Sequence, residues 1–197
     1  MLLQDKLKGK KIILGSKSPR RQSLLKQLGL EFEVKSKSLE EVYPENIEKE
    51  EIAIHLAELK AKAFDKELID KNTILITADT IVWMDGKVLG KPTDRIDAIK
   101  TLKKLSGRAH EVITGVCLIS SKKKKTFYVN TKVFFSDLSE EEICYYIDTY
   151  KPYDKAGAYG IQEWIGYIGI DRIEGSFYNV VGLPVKALYD ELMVFST

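Results

Sequence analysis

Arg20, Arg21, Lys60 and Lys91 offer cations, and Glu41 and Asp79 offer carboxylates beside a loop or at a strand end. These are the side-chain types that phosphoanhydride hydrolysis needs. Cations neutralise phosphate oxygens, carboxylates hold a divalent metal, and a base or the metal activates water. Two of the cations, Arg20 and Arg21, stand in residues 12–25, IILGSKSPRRQSLL. Residues 12–14 form an apolar run of strand length, and Gly15-Ser16-Lys17-Ser18 breaks it. Ser18-Pro19 then signals a helix start: serine at the N-cap accepts a bond from an orphan N–H, and proline at the first helical position loses nothing by lacking its own. Leu24, Leu25 and Leu28 supply the apolar face and Gly29 the stop. A helix start carrying Ser16, Ser18, Lys17, Arg20 and Arg21 is suited to an anion, phosphate above all. An ordinary capped surface helix with solvated arginines is the alternative that this stretch alone leaves open.

The elements that must position these groups follow in order. Residues 32–34 read as a brief strand and residues 48–69 as a helix, with Ile52, Leu56, Leu59, Ala63 and Phe64 at helical spacing. Lys60 and Lys62 interrupt that spacing, as the lysines of a solvated face do. Residues 73–78, TILITA, form a strand of the kind buried on both sides of a central sheet, ending at Asp79-Thr80 before residues 81–83 resume the apolar run. A carboxylate inside ITADTIVW must be paired or bound to something, unless Asp79 merely forms a turn. Asp85-Gly86 is a hairpin turn. Residues 94–105 form a helix with Ile96, Ile99, Leu102 and Leu105 inward. Residues 112–118 and 127–135 read as antiparallel strands, with the lysines of 122–125 at a solvated hairpin tip. Ser139 and Glu142 form a capping box that opens a helix through Ile147. Residues 150–183 are rich in Gly and Tyr, lack a long apolar period, and read as a functional loop. Pro184 opens a final helix.

The bulk numbers narrow the function classes. A chain of 197 residues is one large domain or two intimate lobes, and a net charge of +2 is too mild to argue for nucleic-acid binding. No apolar run suits a signal peptide or a membrane span. Cys117 and Cys144 lie far apart without a CxxC pattern, and Cys117 fits a buried strand, so the expected compartment is the reduced cytoplasm. His55 and His110 lack metal-ligand partners at usable spacing. There is no GxxxxGK[ST], GxGxxG or GxSxG. Residue types and spacing therefore lead to an α/β protein with a phosphate-binding helix start and an acidic metal site.

Seven blocks carry a resemblance: SKSPRRQSLL (16–25), LAELKAKA (56–63), ADTIV (78–82), LGKP (89–92), LSGRAHEVITG (105–115), DKAGAYGIQ (154–162) and RIEGSFYNVVGLP (172–184). In this order they resemble the Maf family of nucleoside triphosphate pyrophosphatases, from the first strand almost to the C-terminus. The resemblance implies a single domain over residues 1–197, with a mixed, strongly twisted β-sheet flanked by helices, akin to inosine triphosphatase, and two lobes around a nucleotide cleft. It implies cleavage of (deoxy)nucleoside triphosphates to monophosphate and pyrophosphate with Mg²⁺ or Mn²⁺, and a homodimer. Arrest of septum formation by nucleotide binding without essential turnover is the alternative role.

By the same resemblance, Asp79 matches the proton acceptor, while Arg20, Thr80 and Gln162 match the specificity positions. Arg21, Lys60 and Lys91 match the phosphate-contacting residues, Ser16 and Ser18 the phosphate loop, and Glu41 the acidic position that would share the metal with Asp79. AYGIQ resembles the branch acting on dTTP and UTP, as a housecleaning activity on pyrimidine nucleotides. The amide of Gln162, donor and acceptor at once, suits the carbonyl and N3–H edge of a pyrimidine. Glu163-Trp164 depart from the pattern, which has glycine after the glutamine.

Overall fold

The computed structural model describes residues 2–64 and 71–195. Its elements run α1 (Leu3–Lys6), β1 (Lys11–Leu14), α2 (Pro19–Gln27), β2 (Glu33–Val34), α3 (Lys49–Lys62), β3 (Thr73–Met84), β4 (Lys87–Leu89), α4 (Arg95–Leu105), β5 (Ala109–Ile119), β6 (Lys124–Phe135), α5 (Glu140–Tyr150), a 3-10 turn (Ala156–Ala158), α6 (Trp164–Ile168), β7 (Ile170–Glu174), α7 (Phe177–Val181) and α8 (Val185–Phe195). Among the described residues the strands make one seven-stranded mixed sheet in the order β2-β1-β3-β5-β6-β7, with β4 paired to β3 off that path. Strand β1 is parallel to both β2 and β3, whereas β3–β4 and β6–β7 are antiparallel. The α/β class and the mixed sheet expected from the sequence are therefore present.

The chain divides into two compact units. The first holds residues 1–79, 114–129 and 182–197, and the second residues 80–113 and 130–181. In the first unit β1 and β3 pair from Lys11 opposite Thr73 to Leu14 opposite Ile76. Helix α3 covers them, and Ile13, Ala57, Ala61, Phe64, Leu75 and Cys117 form its core. Burial of Cys117 pushes its thiol up to about 11, as suits an inert core residue. Close packing here requires glycine at 115, where a Cβ would come within 2.3 Å of the Ala53 backbone. In the second unit α4 and α5 pack Ala98, Leu102, Leu105, Ile143, Tyr146 and Ile147 against strand residues Val82, Met84, Val112, Val133 and Phe135.

Local signals set several boundaries. Ser18 caps α2 with Pro19 next to it, Ser139 and Glu142 form the capping box of α5, and Asp85-Gly86 turn with both φ positive, as a tight hairpin requires. Other expectations fail for tertiary reasons. Strand β3 does not end at Asp79 but continues to Met84, through the acid. Ile96 is 63% exposed and Ala98 is buried instead, because the inward stripe of α4 is 98, 102 and 105, opposite the first-turn isoleucine. Helix α3 stops at Lys62, and the expected continuation over 65–69 lies outside the described residues. Residues 150–183 are not one loop. They hold β7, α6 and α7, elements five residues long, too short to show a period. The short helix α1 was not foreseen.

Candidate active site

The first unit gathers its functional side chains where parallel strands end. Beyond the last β1–β3 pair, the Gly15 N–H donates to the Ile76 carbonyl at 2.8 Å. From that point one chain enters the loop before α2 while the other proceeds three residues to Asp79. Carboxyl ends of parallel strands are where α/β sheets collect ligand groups. In the loop, the Ser16 hydroxyl accepts from the Ser18 N–H at 3.2 Å and from the Arg21 guanidinium at 3.5 Å. The Ser18 hydroxyl accepts from the Arg21 N–H. Arg21 Nε donates to the carbonyl of Gly182 at 2.8 Å, a partner that nothing in the sequence near Arg21 indicates. The first turn of α2 holds no acidic residue, so its positive end and arginines keep their preference for an anion.

Lys60 occupies the last turn of α3. Thr77 on β3 donates its hydroxyl to the Ala57 carbonyl at 2.7 Å, which fixes that turn of helix over the strand. The Lys60 ammonium then bonds the Asp79 carboxylate and stands 2.9 Å from Glu41 Oε1. With its side chain 15% exposed, Lys60 is no solvated surface lysine, contrary to the reading of its position in the helix. Its neighbours Ala57 and Ala61 lie in the core, so position 60 borders the covered face of the helix. Asp79 is buried and Glu41 exposed. Burial lowers the Arg21 guanidinium below its usual range, Asp79 raises it, Arg20 lowers it and Glu41 raises it. These four groups and Lys60 thus form one charge cluster.

Two carboxylates on one ammonium are also the donor chemistry for a hard divalent ion, which takes one or two carboxylates beside substrate phosphates. Glu41 and Asp79 fit that role. Among the described residues no three His, Cys, Asp or Glu side chains gather as a metal site, so Glu41 and Asp79 would be its two protein carboxylates.

The second unit carries the remaining positions. Thr80 follows Asp79 on β3, and the strand's alternation sends its side chain to the opposite face. Lys91 is exposed in the loop after β4. The preceding Gly90 carbonyl accepts from the Gly157 N–H at 3.0 Å, which ties this loop to the 3-10 turn. Gln162 is half-buried, and its Oε1 is buried with no hydrogen-bond partner among the described residues. Nearby, Tyr146, Lys155 and Glu163 form a buried polar group that the sequence reading missed. The available signal was Lys155 within an otherwise small and aromatic segment, since a lysine buried there must be paired.

The profile of Maf-like proteins matches residues 11–195. The chain belongs to the Maf family. Among its relatives, a protein of Porphyromonas gingivalis called dTTP/UTP pyrophosphatase is 52% identical over 193 residues, covering 97% of each chain. A Flavobacterium johnsoniae protein of the same name is 52% identical over 191 residues, covering 97% of this chain and 98% of the other. The solved Staphylococcus aureus Ham1 protein aligns with 65% of this chain and 73% of its own at 16% identity and a TM-score of 0.40, a likeness too slight to bear on the fold. Membership of the Maf family gives the seven sequence blocks a common explanation. Among the described residues no helix is long and apolar enough to cross a membrane.

Proposed function

We propose that this Maf protein hydrolyses (deoxy)nucleoside triphosphates to the monophosphate and pyrophosphate, with dTTP, UTP and modified pyrimidine analogues as its substrates. The observation that carries the reading is the Lys60 ammonium on both Asp79 and Glu41, within the charge cluster that includes Arg21. The names of the full-length relatives point the same way.

In this reading the triphosphate meets Arg20, Arg21 and the start of α2, with Ser16 and Ser18 shaping the loop, and Lys91 is a phosphate-contacting residue on the resemblance alone. Water attacks the α-phosphorus, and Asp79 takes its proton. The bond from the α-phosphorus to the bridging oxygen breaks, and pyrophosphate leaves toward the cations. Lys60 keeps Asp79 aimed while Glu41 shares its ammonium. Glu41 and Asp79 would hold a Mg²⁺ or Mn²⁺, which when bound supplies charge neutralisation and polarises water. The amide of Gln162, donor and acceptor at once, reads the carbonyl and N3–H edge of uracil or thymine, where cytosine has no N3–H, and Thr80 and Arg20 belong to the same choice on the resemblance. The homodimer, the cytoplasmic location and the single-domain reading of residues 1–197 belong to this proposal on the resemblance and the cysteine usage alone.

Pyrophosphate release across dTTP, UTP, CTP and 7-methylguanosine triphosphate, with Mg²⁺ or Mn²⁺, tests it. Turnover led by dTTP and UTP is expected. Asp79→Asn should lower turnover by about 10²- to 10⁴-fold, the span of general acid–base contributions, while calorimetry still detects nucleotide binding. Binding by the wild-type chain without pyrophosphate release would instead favour the regulatory role in cell division.

A further inference from the structure

Gln162 sits on a turn whose two ends meet the same buried hydroxyl. The Glu163 N–H donates to the Gly160 carbonyl at 2.9 Å, closing a four-residue turn with Gln162 in its third place. At one end, the Gly160 N–H donates to the Tyr146 hydroxyl at 3.0 Å. At the other, that hydroxyl donates to Glu163 Oε2. The remaining oxygen of Glu163 lies 3.0 Å from Lys155 Nζ, which also bonds Asp154 at 2.8 Å. Tyr146 is fully buried on α5 and Lys155 is 7% exposed. The fit leaves no slack, because a Cβ on Gly160 would lie 2.9 Å from the Glu163 carboxyl carbon and 3.0 Å from Lys155 Cε. Trp164 packs edge-on to Tyr145 with ring centroids 4.8 Å apart, which adds a second contact from α5.

We propose that Tyr146 and Glu163 are positioning residues that hold Gln162 for base selection, a role resting on the reading of Gln162 given above. Neither side chain needs to touch the nucleotide. A hydroxyl that donates to a carboxylate makes a charge-assisted bond, and in a buried site such a network rigidifies the backbone it joins. The turn cannot swing without breaking a bond at each end. Helix α5 therefore sets the orientation of an amide on a segment well after it in sequence. The Glu163-Trp164 pair, which departs from the glycine of the family pattern, supplies two of the contacts.

The test is a double-mutant cycle on the full chain, with kcat and KM measured for dTTP and CTP in the wild type, Tyr146→Phe, Gln162→Ala and the double variant. Tyr146→Phe keeps the ring in the core and removes only the hydroxyl. It should reduce the dTTP/CTP ratio of kcat/KM by about fivefold, near the net worth of one hydrogen bond, through KM more than kcat. In the Gln162→Ala background the same change should do nothing further. Should Tyr146→Phe fold poorly, Glu163→Gln and Glu163→Ala replace it: the glutamine keeps an acceptor for the hydroxyl and should retain more selectivity than the alanine. If Gln162→Ala lowers the ratio and Tyr146→Phe does not, or the two effects multiply independently, the positioning role is overturned while base reading by Gln162 stands. If Gln162→Ala leaves the ratio unchanged, both fall together.

Discussion

In the first unit the functional side chains satisfy one another: Lys60 binds Asp79 and Glu41, and Arg21 binds Ser16 and the Gly182 carbonyl. In the second unit the arrangement is reversed, with Gln162 Oε1 unpartnered among the described residues on a turn whose neighbours Tyr146, Glu163, Lys155 and Gly160 are all bonded. The difference follows from what each group would do. Charges that receive a polyphosphate can be stored as ion pairs and exchanged for the ligand at small cost, since ions of both signs are at hand. A neutral amide that selects between bases gains nothing from a stored partner. It gains from being held still, because an unpaired acceptor penalises every substrate that fails to supply a donor. Chemistry and selection thus call for opposite treatment of the polar groups involved.

Removing the central cation is the most severe way to break this comparison. Lys60→Met leaves Asp79 and Glu41 without their shared ammonium, and turnover should fall by about 10²- to 10³-fold. Turnover close to that of the wild type would show that the reaction does not need this ammonium.

The second unit predicts an acid sensitivity of its own. His110 is buried, shares a 2.8 Å hydrogen bond with Tyr159, and burial pushes its imidazolium down to about 4. Between pH 6.5 and 4 the unfolded chain therefore binds the proton that the folded chain refuses. This contribution to stability is fully present above pH 6.5 and is lost as pH falls toward 4, up to about 3 kcal/mol. Denaturant unfolding at pH 7 and 4.5 measures it, and His110→Phe combined with Tyr159→Phe should flatten that part of the pH dependence. A double variant as acid-sensitive as the wild type would place the effect elsewhere.

Gln162→Ala sharpens the contrast further. It should lower the preference for dTTP over CTP by about tenfold, the scale of one lost specific hydrogen bond, with kcat altered far less than by Lys60→Met. An unchanged base profile would transfer recognition to backbone groups. The smallest effect belongs to Lys124, paired with Glu58 at 2.6 Å on the surface of the first unit. Lys124→Ala should change stability by less than about 1 kcal/mol and leave pyrophosphate release as it was. A large loss of turnover would mean that the charge cluster extends beyond the groups named here.

Much of the local structure was legible in the chain. Ser18-Pro19, Asp85-Gly86 and Ser139 with Glu142 mark boundaries through short-range chemistry that acts whatever the surroundings. The unbroken course of β3 through Asp79 was not legible, because the run itself does not say which cation pairs an acid within it, and Lys60 comes from a different element. Lys60 itself looked like surface, since helical spacing alone does not say which side of α3 a strand will cover. Strand β7 and helices α6 and α7 were hidden by their length: they are held by pairing to β6 and by contacts along the second unit, not by any period of their own.

The sequence by itself determined the α/β class, the capped start of α2 and the membership of the Maf family, because capping, periodicity and ordered sequence blocks are properties of the chain. It also supplied the residue types of the chemistry. Only the tertiary structure decided that Lys60 joins Asp79 to Glu41, that Arg21 reaches Gly182, and that Tyr146 grips both ends of the turn bearing Gln162. Those contacts link residues between 14 and 161 positions apart, and no local preference encodes a pairing over such separations. They form because burial brings polar groups together and leaves each of them needing a partner.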